Sequence, residues 1–164
     1  MQIYVTSLAD YNAGRQVGDW VDVGTVSEME ADIEKILKSS KEPNAEEWAI
    51  HDYSDFPNMG EHASLEEIEE VGELVDEHGD VFLAAISYSP EDLDYAKKLV
   101  EDGYMGQGND IEDFAYEYLK DTGQLEEMGE FGARYFDYSA FGRDLAIDMT
   151  VIDYGGTTYV FQPL

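Results

Sequence analysis

The chain has 164 residues, of which 38 are Asp or Glu and only nine are Lys or Arg, a formal net charge of −29. With 43 % hydrophobic residues, 2 Trp, 12 Tyr and 7 Phe it has the material for packed cores, which excludes a disordered acidic tail. The lack of cysteine excludes disulfides and thiolate metal sites, and no apolar run approaches the roughly 18–20 residues needed to span a bilayer.

Residues 2–8 alternate as a strand does, and Ala9 to Gly14 has turn chemistry. Gln16 to Val23 reads as the partner strand. Ser27 with Glu30 forms a capping-box pattern ahead of an amphipathic helix on Met29, Ile33, Ile36 and Leu37, running to about Ser39. Glu46 to Tyr53 reads as a third strand. This predicts a small antiparallel sheet crossed by one helix in residues 1–60.

After the break Asp55–Gly60, Ser64 and Glu67 form a second capping box. Leu65, Ile68, Val71 and Val75, with Leu74 beside them, mark one face of a helix whose remainder is acidic. Glu66, Glu70, Glu73 and Glu77 rise along it in steps of three and four, where like charges stand about 5–6 Å apart and repel. Val81 to Tyr88 fits a short buried helix or a strand. Ser89-Pro90 reads as the start of another helix, with Ser at the cap and Pro at the first position. Residues 61–102 therefore read as an acidic helical domain.

Gly103 to Asn109 is rich in glycine and reads as a second boundary. Asp110 caps a helix through Phe114, Ala115, Tyr118 and Leu119, ending at Gly123. A short turn or helix at Leu125–Met128 follows, then a helix over Gly132–Leu145. A hairpin over Tyr154-Gly155-Gly156 closes residues 103–164 as an α+β domain. Twelve of the 21 aromatics fall in this last segment, enough for both a core and an apolar contact surface. The chain shows no internal repeat. Its N-terminus has neither the basic region nor the apolar run of a signal peptide, which leads to the expectation of a cytoplasmic protein.

The charge is spread along the chain: 12 acids against 4 bases in residues 1–60, 14 against 2 in 61–102, and 12 against 3 in 103–164. Between Lys41 and Lys97 there are 17 acids and no base. Such a surface repels nucleic acid and anionic membranes and attracts basic partners. At the charge density of duplex DNA, one per ~1.7 Å, the net charge would cover roughly 50 Å, or about 15 base pairs. Charge runs are usually solvated faces, and a salt-adapted protein would carry a surface of the same kind.

No stretch matches the EF-hand ligand order, and the chain has no H-E-x-x-H and no G-x-S-x-G. His51, His62 and His78 are scattered, and carboxylate pairs chosen among 38 acids are close to chance. The residues therefore point to no catalytic site, no metal and no cofactor. Arg134 and Arg143 lie together in GARYFDYSAFGRDL; a helical ion pair of Arg134 with Asp137 is the simpler reading, and a contact with a second copy is the alternative.

Three stretches, IYVTSLADYNAGRQVGDWVD, EEWAIHDYSDFP and DTGQLEEMGEFGARYFDYSAFGRDL, together with the closing IDYGGTTYVF, resemble the ArdA family of antirestriction proteins in order and over essentially the full length. The chain departs from the family pattern just before RYFDY, where it has MGEFGA in place of a turn with Pro and Leu. The resemblance implies a non-enzymatic DNA mimic, typically carried on mobile genetic elements, that occupies the DNA-binding groove of type I restriction-modification enzymes and blocks cleavage and possibly methylation. It implies an α+β fold drawn out as an elongated chain of three small domains, paired through the third into a curved homodimer. The partners implied are the restriction enzyme and a second copy, with no nucleic acid and no membrane. On this basis Glu66, Glu69, Glu70, Glu73, Asp76, Glu77, Asp92, Asp94, Asp110, Glu112 and Asp113 are the expected mimic surface. Arg134, Tyr135, Phe136, Asp137, Tyr138, Phe141, Arg143 and Asp144 fall in or beside the antirestriction motif near the dimer contact. A salt-adapted acidic domain, or a mimic aimed at another DNA-binding protein, are the alternatives.

Overall fold

The structure, a computed structural model, describes residues 1–164. It is α+β, with eight α-helices and two three-stranded antiparallel sheets, and it divides into two compact units, 1–77 and 78–164. No helix is long and apolar enough to cross a membrane.

The first unit holds β1 (Gln2–Ser7), α1 (Leu8–Asn12), β2 (Gly18–Asp22), α2 (Val26–Lys38) and β3 (Trp48–Ser54), followed by α3 (Leu65–His78). The sheet order is β2-β1-β3. Ile3, Val5, Val21 and Ile50 point to one face and are packed with Met29, Ile33 and Ile36 of α2 and with Leu65 and Ile68 of α3. The acid helix thus rests its apolar stripe on the same core as the N-terminal sheet. Gly72 makes the approach possible: a Cβ there would lie 2.7 Å from Val23 Cγ1.

Two local expectations change. Ala9–Gly14 is a turn only at its end, because Ser7 caps α1 by accepting from the Asp10 N–H at 3.4 Å. The buried Asp10 carboxylate in turn accepts from Ser7 Oγ at 2.8 Å, from Ser40 Oγ and from Arg15 Nε at 3.3 Å, tying α1 to the loop after α2. The capping box of α2 is Thr25 with Glu28, two residues before the predicted Ser27–Glu30 pair. Both pairs fit the pattern, and the earlier one gives a longer helix.

The second unit holds α4 (Asp80–Tyr88), α5 (Leu93–Lys98), a π-helical turn (Leu99–Gly103), β4 (Tyr104–Gly108), α6 (Ile111–Asp121), α7 (Gln124–Tyr135), α8 (Tyr138–Asp148), β5 (Thr150–Tyr154) and β6 (Thr157–Phe161). Phe82, Leu99, Phe114, Leu119, Val160 and Phe161 are buried in it. The open reading of residues 81–88 resolves as helix. Asp92, not Ser89, caps the helix that follows, accepting from the Tyr95 N–H at 2.9 Å. The glycine-rich 104–108 stretch, expected as a boundary loop, is a strand paired with β6. Its glycines follow from a close approach: a Cβ on Gly106 would lie 3.2 Å from the Phe114 ring. Gly142 lets α8 lie against α6, since a Cβ there would meet the Ile111 carbonyl oxygen at 2.6 Å.

The helix predicted over Gly132–Leu145 is broken. Phe136 is extended, and Asp137 caps α8 by accepting from the Ala140 N–H at 2.8 Å, so the predicted Arg134–Asp137 pair is not made. Arg134 lies instead over the Tyr135 ring, 5.9 Å from its centroid. Gly129 breaks α7 with φ 68° and ψ 166°, a conformation that is essentially confined to glycine. Gly129→Ala should therefore lower the unfolding free energy by about 1–3 kcal/mol, as read from urea denaturation. An unchanged midpoint would mean that α7 straightens there without loss.

Candidate functional site

The candidate surface starts with α3. Ser64 and Glu67 form the capping box read from the sequence: Ser64 Oγ accepts from the Glu67 N–H at 3.2 Å, and the Glu67 carboxylate accepts from the Ser64 N–H at 2.9 Å and its hydroxyl at 3.0 Å. These bonds hold the Glu67 carboxyl below the usual carboxylate range, the Ser64 N–H contributing most. Leu65, Ile68, Val71 and Gly72 are buried. Glu66, Glu70, Glu73, Asp76 and Glu77 are exposed on the other side.

Glu69 is different. It is half-buried, and its carboxylate accepts from the Val26 N–H at 3.1 Å, at the first residue of α2. The residue picked as surface charge also fixes the acid helix against α2, a contact 43 positions away in sequence that no local pattern announces. Together with the close approach at Gly72, it sets which face of α3 the water sees. Seven carboxylates from Glu66 to Glu77 occupy roughly 16 Å of helix axis, about one per 2.4 Å, against about one per 1.7 Å in a nucleic-acid duplex.

In the second unit the predicted acids sit mainly at helix starts. Asp92 caps α5, and Asp94 follows it, exposed. Asp110 caps α6 by accepting from the Asp113 N–H at 2.9 Å. Asp113 reaches back to accept from the Asn109 N–H at 2.9 Å and its side-chain amide at 2.8 Å. Glu112 is exposed beside them. A helix N-terminus favours negative charge, and Asp92 and Asp110 are held in place by the backbone N–H groups they cap. Lys97 and Lys98 lie in the last turn of α5, while Lys35, Lys38 and Lys120 pair with Asp32, Glu34 and Glu117, each one turn away on its own helix.

The segment around Arg134 has another character. Phe131 is 79 % and Tyr135 70 % exposed, their rings 5.1 Å apart, and α7 buries no residue at all. Tyr138 donates its hydroxyl to the Ala133 carbonyl at 2.7 Å, and Phe136 lies against both Tyr138 and Phe141. Arg143 donates to Ser139 Oγ at 2.9 Å, and Asp144 is exposed. Residues 131–147 contain Arg134, Asp137, Arg143 and Asp144, so this stretch of a strongly anionic chain is neutral. No three His, Asp or Glu side chains converge as a metal would require.

A family model described as "Antirestriction protein (ArdA)" matches residues 3–159. No curated protein matches the chain.

The capping box gives a pH-dependent test. A carboxyl held low in the folded state adds stability that is complete above its unfolded value, near 4.3, and is lost as the pH falls through its folded value. Ser64→Ala should cost about 1 kcal/mol at neutral pH. The share that depends on the Glu67 charge should begin to fade as the pH drops below the unfolded value near 4.3 and be lost below the lower folded value, seen as the gap between parent and variant thermal midpoints narrowing. A gap that stays constant down to pH 2 would assign that share to the hydroxyl cap alone.

Proposed function

The chain belongs to the ArdA family of antirestriction proteins, and from that premise we propose that it is a DNA mimic whose carboxylates occupy the DNA-binding groove of a type I restriction-modification enzyme. The observation that carries the reading is α3, which exposes Glu66, Glu67, Glu70, Glu73, Asp76 and Glu77 on a helix with no Lys or Arg. An enzyme that grips a long DNA target lines its groove with cations. A fixed row of carboxylates releases counter-ions from that groove as a phosphate backbone does, so binding weakens steeply as salt rises. Without bases to read, the mimic is indifferent to the recognition sequence of the enzyme.

In this reading residues 61–102 are the main charge-bearing segment, Asp110, Glu112 and Asp113 extend it, and residues 103–164 pair two copies. The neutral, aromatic stretch 131–147 supports the pairing. Copies of a polyanion repel, and they meet at least cost where charge balances and rings such as Phe131 and Tyr135 await burial.

Titrated against labelled target DNA bound to a type I enzyme, the protein should displace the DNA near stoichiometry at moderate salt and fail to do so at high salt. Displacement by a folded protein that ignores ionic strength, or no displacement at all, would overturn the mimic reading for that enzyme. Because the field is a sum over many charges, Glu66→Gln or Glu73→Gln alone should weaken inhibition by less than about threefold, whereas neutralising Glu66, Glu70, Glu73 and Glu77 together should weaken it by more than about tenfold and flatten its salt dependence.

For the pairing, Phe131→Ser combined with Tyr135→Ser should convert the dimer to a folded monomer in sedimentation, with a thermal midpoint that no longer rises with protein concentration, since neither ring is buried within one chain. A parent protein that sediments as a monomer at micromolar concentration would remove the dimer from this account.

A further inference from the structure

Helices α2 and α3 cover one face of the first sheet, and α1 touches only its β1–β3 end, where the Tyr11 ring meets His51 with centroids 4.8 Å apart. Its other face carries Gln2 and Tyr4 of β1, Trp20 and Asp22 of β2, and Asp52 of β3. The register puts Tyr4 directly between Trp20 and Asp52, with Gln2 opposite Asp22. The Tyr4 and Trp20 rings meet edge to face, centroids 5.2 Å apart, yet Trp20 stays 39 % exposed. The carboxylates beside the rings are held in place. Asp22 accepts from the Gln2 amide at 2.8 Å, and Asp52 accepts from the Tyr53 N–H at 2.8 Å. Asp19, on the same edge strand, accepts from the Trp20 N–H at 2.9 Å. None of the three strands contains a Lys or Arg.

An indole open to water and flanked by fixed carboxylates has the chemistry that takes a guanidinium. The flat cation lies on the ring face, and its planar fork of N–H groups reaches the acids. We propose that this face is a second binding surface, separate from the acid face of α3, and that its occupant is an arginine-bearing segment of a protein partner. Lysine fits less well, because a compact ammonium lacks both the fork and the stacking plane. The carboxylates exclude nucleic acid and anionic lipid by repulsion. The two surfaces belong to opposite sides of the sheet, since α3 packs through Leu65 and Ile68 on the face that holds Ile3 and Val5. They also differ in kind: attraction to α3 is a summed charge field that salt screens, whereas stacking on Trp20 persists when salt is raised.

The test uses the full chain with Trp48→Phe, which leaves Trp20 as the sole indole. It is titrated with a short Arg-Gly peptide and with a Lys-Gly peptide of equal charge, at raised salt. The Arg peptide should change Trp20 emission saturably and bind about three- to tenfold more tightly than the Lys peptide. Asp22→Asn with Asp52→Asn, which keeps both rings, should erase most of that preference, whereas Glu66→Gln with Glu73→Gln should leave the Trp20 response intact. Peptides that bind equally, or a Trp20 response that disappears with the α3 charges, would overturn the proposal. Neither outcome bears on DNA displacement from a restriction enzyme, which is measured separately. Should the paired Asn variant fail to fold, Trp20→Phe serves in its place with binding of both peptides read by calorimetry, and an undiminished Arg preference there would overturn stacking on the indole.

Discussion

Everything in this fold has to coexist with its own charge, and the interaction that makes this possible is the carboxylate at a helix N-terminus. Unpaired N–H groups and the helix dipole make that end a favourable place for a negative side chain, worth about 0.5–2 kcal/mol for a cap. The chain uses it repeatedly. Glu28 closes the start of α2, where Glu69 also reaches from α3, and Glu67 closes the start of α3. Asp92, Asp110 and Asp137 cap α5, α6 and α8. Acids that would only repel one another on a solvated surface thereby become attachments between side chain and backbone. The nine bases contribute less, since pairs such as Lys35–Asp32 and Lys120–Glu117 are exposed and one turn apart.

Patterns that act over a few residues were legible in the sequence. The Ser64–Glu67 box, the apolar stripe of α3, the cap at Asp110 and the closing hairpin each follow from spacing within a single element. Errors arose where a distant partner, or a competing local bond that fits equally well on paper, decides the outcome. The glycines of β4 look like a loop until the Phe114 ring that lies over Gly106 is known. Asp137 pairs on paper with Arg134, yet its carboxylate is better placed on the Ala140 N–H, and the helix stops there. Ser27 and Thr25 offered equivalent caps, and nothing within that segment chose between them. The same limit applied to the candidate surface. Exposure of Glu66 and Glu73 follows from periodicity, but the bond from Glu69 to α2 and the pressure that keeps position 72 glycine come from the tertiary fold.

The two ends of the chemistry are kept apart along the chain. Residues 66–77 concentrate negative charge on a helix whose other side is firmly seated, so the charged groups are displayed on a rigid support. Residues 131–147 do the reverse, balancing charge and leaving rings uncovered on a helix, α7, none of whose residues is fully buried. On the proposed reading, a protein that approaches both a cationic groove and its own copy needs this separation, because a charge density high enough for the first contact would prevent the second.

The crowding of carboxylates on α3 also ties folding to the ions in solution. A folded helix with a charge about every 2.4 Å gathers cations around it, and the unfolded chain, with the same charges spread far apart, holds fewer. Folding is then accompanied by cation uptake, and capture by a basic groove by cation release. If the proposed mimicry holds, ionic strength acts with opposite sign on the two equilibria: the medium that makes the molecule most robust is the one in which it holds its target least.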